Sequence, residues 1–334
     1  MSKPPALVTA LLKPEAYPHN PQRIELVQTQ MSFLFLTGDY VYKVKKPVDL
    51  GYLDYTTLEK RRFFCRQEVE LNRRLSPDIY LEVVPVVRSE WQIRIGGKGE
   101  TIEYAVKMRQ LPREQMMDNL LPQNRVTEEM VVNVAEKLAT FHDKAVTSPE
   151  ISAYGGLDAI TTNTEENFSQ TKKYVDVSIP SAKYDRIKAY TDSFTKSNRS
   201  LFQKRVENGR IKDCHGDLHA AHVCFSDGIH IYDCIEFNDR FRYGDVASEV
   251  AFLAMDIDRY QRADLSQAFV NAYVRLTHDK DLLRLLNFYK CYRAYVRGKV
   301  ESFKFDDPYI SQEEKTGVLA AARRYFELAE SYLK

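Results

Sequence analysis

The residues best suited to chemistry lie in Asp213-Cys-His-Gly-Asp-Leu-His-Ala-Ala-His-Val-Cys-Phe225 and the following Ile229-His-Ile-Tyr-Asp-Cys-Ile-Glu236. Asp217 sits in a polar loop. Val223-Cys-Phe225 and Ile229-His-Ile-Tyr232 read as two strands joined by the Ser226-Asp-Gly228 turn. A tight hairpin returns the chain to its start, so His222 before the first strand and Asp233 after the second are predicted to lie side by side. Asp217 is a few residues upstream of the same end. Two carboxylates and an imidazole gathered in this way suit a site that orients a nucleophilic hydroxyl and holds Mg²⁺.

Positioning these groups falls to two kinds of element. Residues 24–28, 32–36 and 40–45 read as a strand meander, with Gly38-Asp39 as its second turn. A helix follows, opened by a capping-box pattern at Thr56-Thr-Leu-Glu59 and ended by Ser76-Pro77. Residues 81–87, 91–95 and 103–108 alternate again, with Gly96-Gly97 in a turn. Beyond Leu111-Pro112 the pattern turns helical, over 128–143, 182–206, 246–255, 265–277, 282–301 and 312–332. The expected fold is α+β: a small antiparallel sheet lobe with one helix, then a large helical lobe, with a ligand cleft between them. The boundary is placed near 107–112.

On the helix from Thr57 to Leu75, Phe64, Glu68, Leu71 and Leu75 share one face, so Glu68 interrupts an apolar stripe. A buried carboxylate needs a cation. Lys43, mid-strand between Tyr42 and Val44, is the natural partner, and Lys45 on the same strand face is its rival. The plainer alternative has Glu68 reaching solvent and Lys43 edging the sheet.

Composition bounds the remaining classes. The chain has 334 residues, 44% hydrophobic and 28% charged, as expected of a soluble globular protein. A net charge of +1 gives no electrostatic case for nucleic acid or an acidic membrane. Five cysteines without CxxC spacing suggest reduced thiols and a cytoplasmic location. The N-terminus shows no apolar leader and no run is long enough to span a bilayer.

The series His215-Gly216-Asp217, His222 and Asp233 resembles the catalytic core of the aminoglycoside phosphotransferase and choline kinase group, relatives of protein kinases. It is most similar to an uncharacterised aminoglycoside phosphotransferase-like branch, some of whose members are fused to a P-loop ATPase. No Gly-x-x-x-x-Gly-Lys-Ser/Thr occurs in this chain. Leu138-Ala-Thr-Phe-His142 and Phe241-Arg-Tyr-Gly-Asp-Val-Ala247 extend the resemblance, which spans roughly residues 24–256.

The resemblance implies a two-lobed protein-kinase-like fold, with a nucleotide-binding lobe over 1–108 and a catalytic and acceptor lobe over 109–334. It implies ATP and Mg²⁺, with Mn²⁺ an option, and transfer of the γ-phosphoryl group to a hydroxyl of a small-molecule acceptor. In that scheme Lys43, held by Glu68, positions phosphates. Asp233 binds the metal and Asp217 serves the attacking hydroxyl, with His215 bracing the loop. His222 stands where the group usually has Asn. Imidazole is a softer ligand than an amide oxygen, so His222 binds Mg²⁺ poorly, favours Mn²⁺, or only hydrogen-bonds. Glu236 is a further candidate for metal or substrate, Met108 to Gln110 the expected adenine contacts, and Asp245 a structural aspartate. The first strand turn, Thr29-Gln-Met31, lacks the glycines of protein kinases, which leaves turn N–H groups or the Thr29 hydroxyl for phosphate.

Three other readings compete. A nucleotide-binding pseudokinase acting as a partner-binding switch fits His222 and the glycine-free turn. A protein-substrate kinase is disfavoured by the absence of Ala-Pro-Glu and of a long activation segment between Asp233 and Asp245. Cys214, His215, His219, His222 and Cys224 are dense in Zn²⁺ ligands, but Gly216-Asp217 predicts a loop, and the Glu of His-Glu-x-x-His is missing. For the acceptor, Lys290, Arg293 and Arg297 share a helix face. A solvated face is the ordinary expectation; a face turned to the site would suit an anionic substrate. Asp256, Asp258 and Glu249 are too few to build the acidic pocket a polycationic aminoglycoside would need. Asn163-Thr-Glu-Glu-Asn-Phe168 is a candidate for the acceptor wall.

Overall fold

A computed structural model of the protein describes residues 5–90, 92–307 and 310–334. Packing divides the chain into two compact units: residues up to Met116 with His222–Asp239, and Met117–Ala221 with Arg240–Lys334. The hairpin after the His-Gly-Asp loop therefore packs with the N-terminal unit, although sequence order alone groups it with the helical part.

The first unit is built on a six-stranded antiparallel sheet: β1 (Glu25–Gln28), β2 (Ser32–Leu36), β3 (Tyr40–Lys45), β4 (Tyr80–Arg88), β5 (Ile93–Ile95) and β6 (Glu100–Arg109), in the order β1-β2-β3-β6-β4-β5. The strands match the alternation in the sequence closely; Trp91, the first residue of the expected fifth strand, lies outside the described residues. The sheet is covered on both faces. Phe35, Tyr42, Val44, Val86 and Ala105 pack against Val8, Leu11 and Tyr17. Val8 and Leu11 come from helix α1 (Ala6–Leu11), which the sequence did not announce because six residues are too few to display a period. On the other face Val106 and Met108 meet Cys65 and Val69 of helix α2 (Leu58–Arg73). α2 begins one residue later than the capping-box pattern suggests. The Thr57 hydroxyl accepts from the Lys60 N–H at 3.2 Å, while Thr56 donates to Asp54 at 2.6 Å.

The hairpin strands are shorter than expected, Val223–Cys224 and His230–Ile231, with Val223 opposite Ile231. Asp227 and Gly228 carry the positive φ the turn needs (49° and 117°). The hairpin is stitched to the rest of its unit. Ser76 Oγ donates to Ile231 O at 2.8 Å, Cys234 N–H donates to Asn72 Oδ1 at 2.8 Å, and Phe225 N–H donates to Gln115 O at 3.0 Å.

The second unit is mainly helical: Glu128–Lys144, Leu157–Thr171, Ser181–Ser197, Arg199–Glu207, Val246–Arg259, Ala263–Thr277, Leu282–Lys304 and Gln312–Ser331, besides shorter turns. The helix expected over 182–206 is two. Its break is Asn198 (φ −110°, ψ 21°), whose backbone N–H and side-chain amide both donate to Phe194 O at 3.0 Å and so close the first of the two helices. The helix Leu157–Thr171, which contains the proposed acceptor-wall segment 163–168, was hidden because its buried face mixes Ile160 and Phe168 with Thr164, Asn167 and Thr171. The threonine hydroxyls become tolerable there by donating one turn back, Thr164 to Ile160 O (3.1 Å) and Thr171 to Asn167 O (2.8 Å). The core joins Phe168, Ile187, Phe252, Met255, Ala294, Tyr295 and Phe326. Gly298 permits the close approach of the last two long helices, since a Cβ there would stand 2.8 Å from the Phe326 ring. Among the described residues, no helix is long and apolar enough to cross a membrane.

Candidate active site

In the first unit, β3 is buried on both faces. Tyr42 and Val44 point into the apolar core, so Lys43 and Lys45 must point towards α2. There Lys43 Nζ lies 2.8 Å from Glu68 Oε1, and Lys45 Nζ lies 2.7 Å from Glu68 Oε2. The Lys43 contact is an ion pair not aligned as a hydrogen bond, whereas Lys45 donates properly. Both lysines thus engage one carboxylate, and the rivalry between them resolves into a division of labour by their second partners. Lys43 donates to Asp233 Oδ1 at 2.7 Å. Lys45 donates to Glu236, whose Oε1 also accepts from Tyr55 OH at 2.6 Å.

Burial alone would push both lysines towards neutrality, but the carboxylates more than offset it and hold both pKa values well above the ordinary lysine range, Asp233 and Glu68 acting on Lys43, Glu236 and Glu68 on Lys45. Glu68 is fully buried; that alone would raise its pKa, yet Lys43 and Lys45 hold it below the usual glutamate value. The expected plain alternative, Glu68 reaching solvent, is not what forms. Glu236, expected near metal or substrate, is instead buried on Lys45 and Tyr55.

The hairpin places Asp233 as the spacing predicts. His222 O accepts from Tyr232 N–H at 3.1 Å, and His222 Nε2 lies 3.6 Å from Asp233 Oδ2. Asp233 adopts φ 63°, unusual for a non-glycine residue. Tyr80 OH, accepting from the Asp233 N–H at 3.1 Å, and Asn72 on the next N–H hold that conformation. Neither Tyr80, Asn72 nor Tyr55 was singled out from the sequence. The available signal was a charge count: two lysines on one buried strand face require more than one carboxylate.

Residues that could hold a divalent metal here are Asp233 and His222. Their facing atoms are within reach of one ion and the carboxylate is part-exposed, so Asp233 suits a hard cation such as Mg²⁺, and the pair together suits the softer Mn²⁺. Two other expected ligand contacts are already engaged within the unit. The Thr29 hydroxyl accepts from the Ser32 N–H at 3.0 Å and closes its own turn. Gln110 donates its N–H to Asp39 O at 3.0 Å and accepts from the Gly38 N–H on its side chain at 3.1 Å. Met108 is buried on β6, paired with Val41 and Tyr80.

In the second unit, His215-Gly216-Asp217 is a loop, as predicted, and is held from several sides. Glu249 Oε1 accepts from two successive backbone N–H groups, His215 at 2.8 Å and Gly216 at 2.7 Å. Gly216 has φ 89°, which suits glycine. Its carbonyl accepts from Arg293 at 3.2 Å. His215 is buried, and its Nδ1 accepts from the Asp217 N–H at 3.3 Å, the geometry of a brace. Asp217 presents a carboxylate that is one-third exposed, with His219 Nε2 3.6 Å away. Asp245 is structural: it caps the Val246–Arg259 helix and receives two hydrogen bonds from the buried Arg205 (3.0 and 2.6 Å). Three of the groups suggested for zinc are engaged otherwise. Cys214 donates to Gly244 O, His215 accepts from Asp217, and burial pushes the Cys224 thiol up to about 11.

His142 bridges Tyr273 OH and Glu249 Oε2, each at 2.7 Å. Burial would raise the Glu249 pKa, but the His142 hydrogen bond and the loop N–H groups bring it down to about 2. A carboxyl depressed on folding stabilises the protein above its ordinary range, and that contribution is lost as pH falls towards the folded value. Denaturant unfolding should therefore lose on the order of 3 kcal/mol through this group between neutral pH and pH 2. Glu249→Gln should flatten that part of the pH profile; an unchanged profile would contradict the assignment.

Comparison with known proteins places these two clusters in context. An uncharacterized protein of Mycobacterium tuberculosis is 31% identical over 312 residues, covering 93% of this chain and 60% of the relative; one from Mycobacterium bovis aligns equally. The chain thus spans about 60% of the length of these relatives. Among solved structures, a choline/ethanolamine kinase family protein from Mesorhizobium loti superposes with a TM-score of 0.56 at 13% identity, covering 98% of each chain. A microcompartment-associated aminopropanol kinase gives 0.53 at 13% identity, covering 98% of this chain and 97% of that one. These share the α+β, protein-kinase-like fold. A sequence model of the phosphotransferase enzyme family matches residues 58–286, which takes in α2, the His-Gly-Asp loop and the hairpin, and the chain belongs to that family.

Proposed function

We propose that the protein is an ATP-dependent kinase that moves the γ-phosphoryl group to a hydroxyl of a small molecule. The observation that carries this reading is the Lys43 ammonium held between Glu68 and Asp233 in the first unit. A permanently charged lysine beside a part-exposed carboxylate is poised for a metal–triphosphate: the ammonium offers itself to phosphate, the carboxylate to the cation. A bound divalent ion would neutralise phosphate charge, with Asp233 as its protein ligand and His222 as a second one where that ion is Mn²⁺. Lys45, Glu236 and Tyr55 then keep Glu68 in place, and Asp217 accepts or orients the acceptor proton. In this reading residues 1–108 act as the nucleotide lobe and 109–334 carry the catalytic loop and acceptor site. A cytoplasmic location suits both the ATP requirement and five buried cysteines.

The test is a thermal-shift titration with ATP, with and without Mg²⁺ or Mn²⁺, paired with an ATP-consumption screen over sugars, amino alcohols and sugar phosphates. A metal-dependent shift with turnover is the expected result. No shift at all removes the nucleotide reading. A shift without consumption across the panel favours a nucleotide-binding pseudokinase, for which the engagement of the Thr29 hydroxyl by the Ser32 N–H is the specific support.

A further inference from the structure

The helix Leu282–Lys304 carries Lys290, Arg293 and Arg297 along one face, and the three do not share one fate. Lys290 is buried and neutralised, its Nζ 2.8 Å from Asp258 and 3.0 Å from Ser266 Oγ. Arg293 lies over the Phe252 ring and donates to Ser248 Oγ at 3.0 Å as well as to Gly216 O. The ordinary expectation of a solvated basic face is therefore corrected: the first two cations are structural parts of the second unit.

Arg297, one turn further on, differs. Among the described residues its ion-pair contact is Glu301 at 3.9 Å, and that carboxylate is already gripped by Lys304 at 2.8 and 2.9 Å. The guanidinium stands 5.7 Å from the Tyr325 ring and is hydrogen-bonded to the Tyr325 hydroxyl, a neutral partner that leaves its charge unpaired. The other acidic groups that act on it are Asp217 and Asp256, and Asp256 is neutralised by Arg259 at 2.8 Å. A guanidinium whose side chain is only 23% exposed, without a close carboxylate of its own and within electrostatic range of Asp217, is unusual for a merely structural cation. Its planar fork matches the oxygens of a carboxylate or a phosphate monoester.

We infer that Arg297 is the binding residue for an oxyanion on the acceptor, so that the substrate is a hydroxyl compound that already carries a carboxylate or phosphate. This rests on the proposed kinase function and names its substrate class. Asp217 then takes the hydroxyl end and Arg297 the acidic end of one molecule. A polycationic acceptor would meet Arg297 as a like charge.

The test uses the whole protein with four probes of similar size: glycerol 3-phosphate, glycerate, glycerol and ethanolamine, with inorganic phosphate as the minimal ligand. Binding is read by calorimetry and turnover by ATP consumption, in wild type, Arg297→Gln and Arg297→Lys. The two anionic probes should bind, with affinity reduced about 10- to 100-fold in Arg297→Gln and partly kept in Arg297→Lys; preference between them identifies the anion. The inference is overturned if ethanolamine or glycerol is the better ligand, if no anionic probe binds, or if anion binding is indifferent to Arg297→Gln. ATP binding is scored separately. Its loss in the wild type would end the kinase reading, whereas intact ATP binding with no Arg297-dependent anion site would end only the present inference.

Discussion

Asp217→Asn is expected to lower phosphoryl transfer by about 10²- to 10⁴-fold while leaving nucleotide affinity unchanged. The separation follows from how the loop is built. Its backbone is fixed by groups other than the Asp217 side chain: Glu249 takes the His215 and Gly216 N–H groups, Arg293 takes the Gly216 carbonyl, and His215 Nδ1 takes the Asp217 N–H. Replacing one carboxylate oxygen by an amide nitrogen leaves all four contacts available, so the loop should keep its shape. In the proposed mechanism, what is lost is the negative charge that would accept or orient the hydroxyl proton. Asn is therefore a better variant than Ala, because it preserves size. Single-turnover kinetics and ATP titration, run side by side with a thermal melt, separate the outcomes. An equal loss of nucleotide binding would falsify the assigned role, and a lowered melting temperature would show that Asp217 supports the fold instead.

Glu68→Gln should be the most damaging single change in the first unit, destabilising it by about 3–5 kcal/mol and weakening nucleotide binding as well. Glu68 is fully buried and in contact with two ammonium groups. Neutralising it leaves two lysines sharing Asp233 and Glu236 in a low-dielectric site, where an underpaired charge is costly. The pH dependence has a definite sign. Glu68, depressed on folding, contributes above its ordinary range and loses that contribution as pH falls through its folded value. Lys43 and Lys45, raised on folding, contribute below about 10.5, the ordinary lysine value, and lose it only as pH rises through their higher folded values. The cluster should be intact throughout the neutral range, so the Glu68→Gln deficit, measured by urea unfolding, should be flat there and shrink in acid. A deficit below about 1 kcal/mol, the scale of an exposed pair, would show that Glu68 is not the anchor described.

The strands of the first unit were legible because successive side chains point to opposite faces, so that the apolar Tyr42 and Val44 alternate with Lys43 and Lys45, and because glycines such as Gly38 and Gly96 mark the turns. The Asp233–His222 juxtaposition was legible for a related reason: a two-strand hairpin fixes the separation of its ends. The long helices were legible where their buried faces are apolar. Leu157–Thr171 was not, because its inward threonines satisfy themselves by local hydrogen bonds that leave no mark on a hydropathy pattern. The break at Asn198 was likewise invisible, since asparagine is compatible with either a helix interior or a cap until a neighbouring carbonyl decides.

By itself the amino-acid order determined which groups are present to do chemistry and which strand or loop carries each: a lysine pair on one strand face, a glutamate in an apolar helix stripe, and aspartates in a loop and at the end of a hairpin. Only the tertiary structure decided how the charges are apportioned. It gave Lys43 to Asp233 and Lys45 to Glu236 with Tyr55, tied Thr29 into its own turn and Gln110 to the Gly38-Asp39 turn, and left Arg297 without a close carboxylate while neutralising Lys290. The reason is physical. Local periodicity fixes the direction of a side chain, but the partner of a buried charge is chosen by distances of a few ångströms between segments far apart in the chain, and at those distances a small shift changes which pair wins.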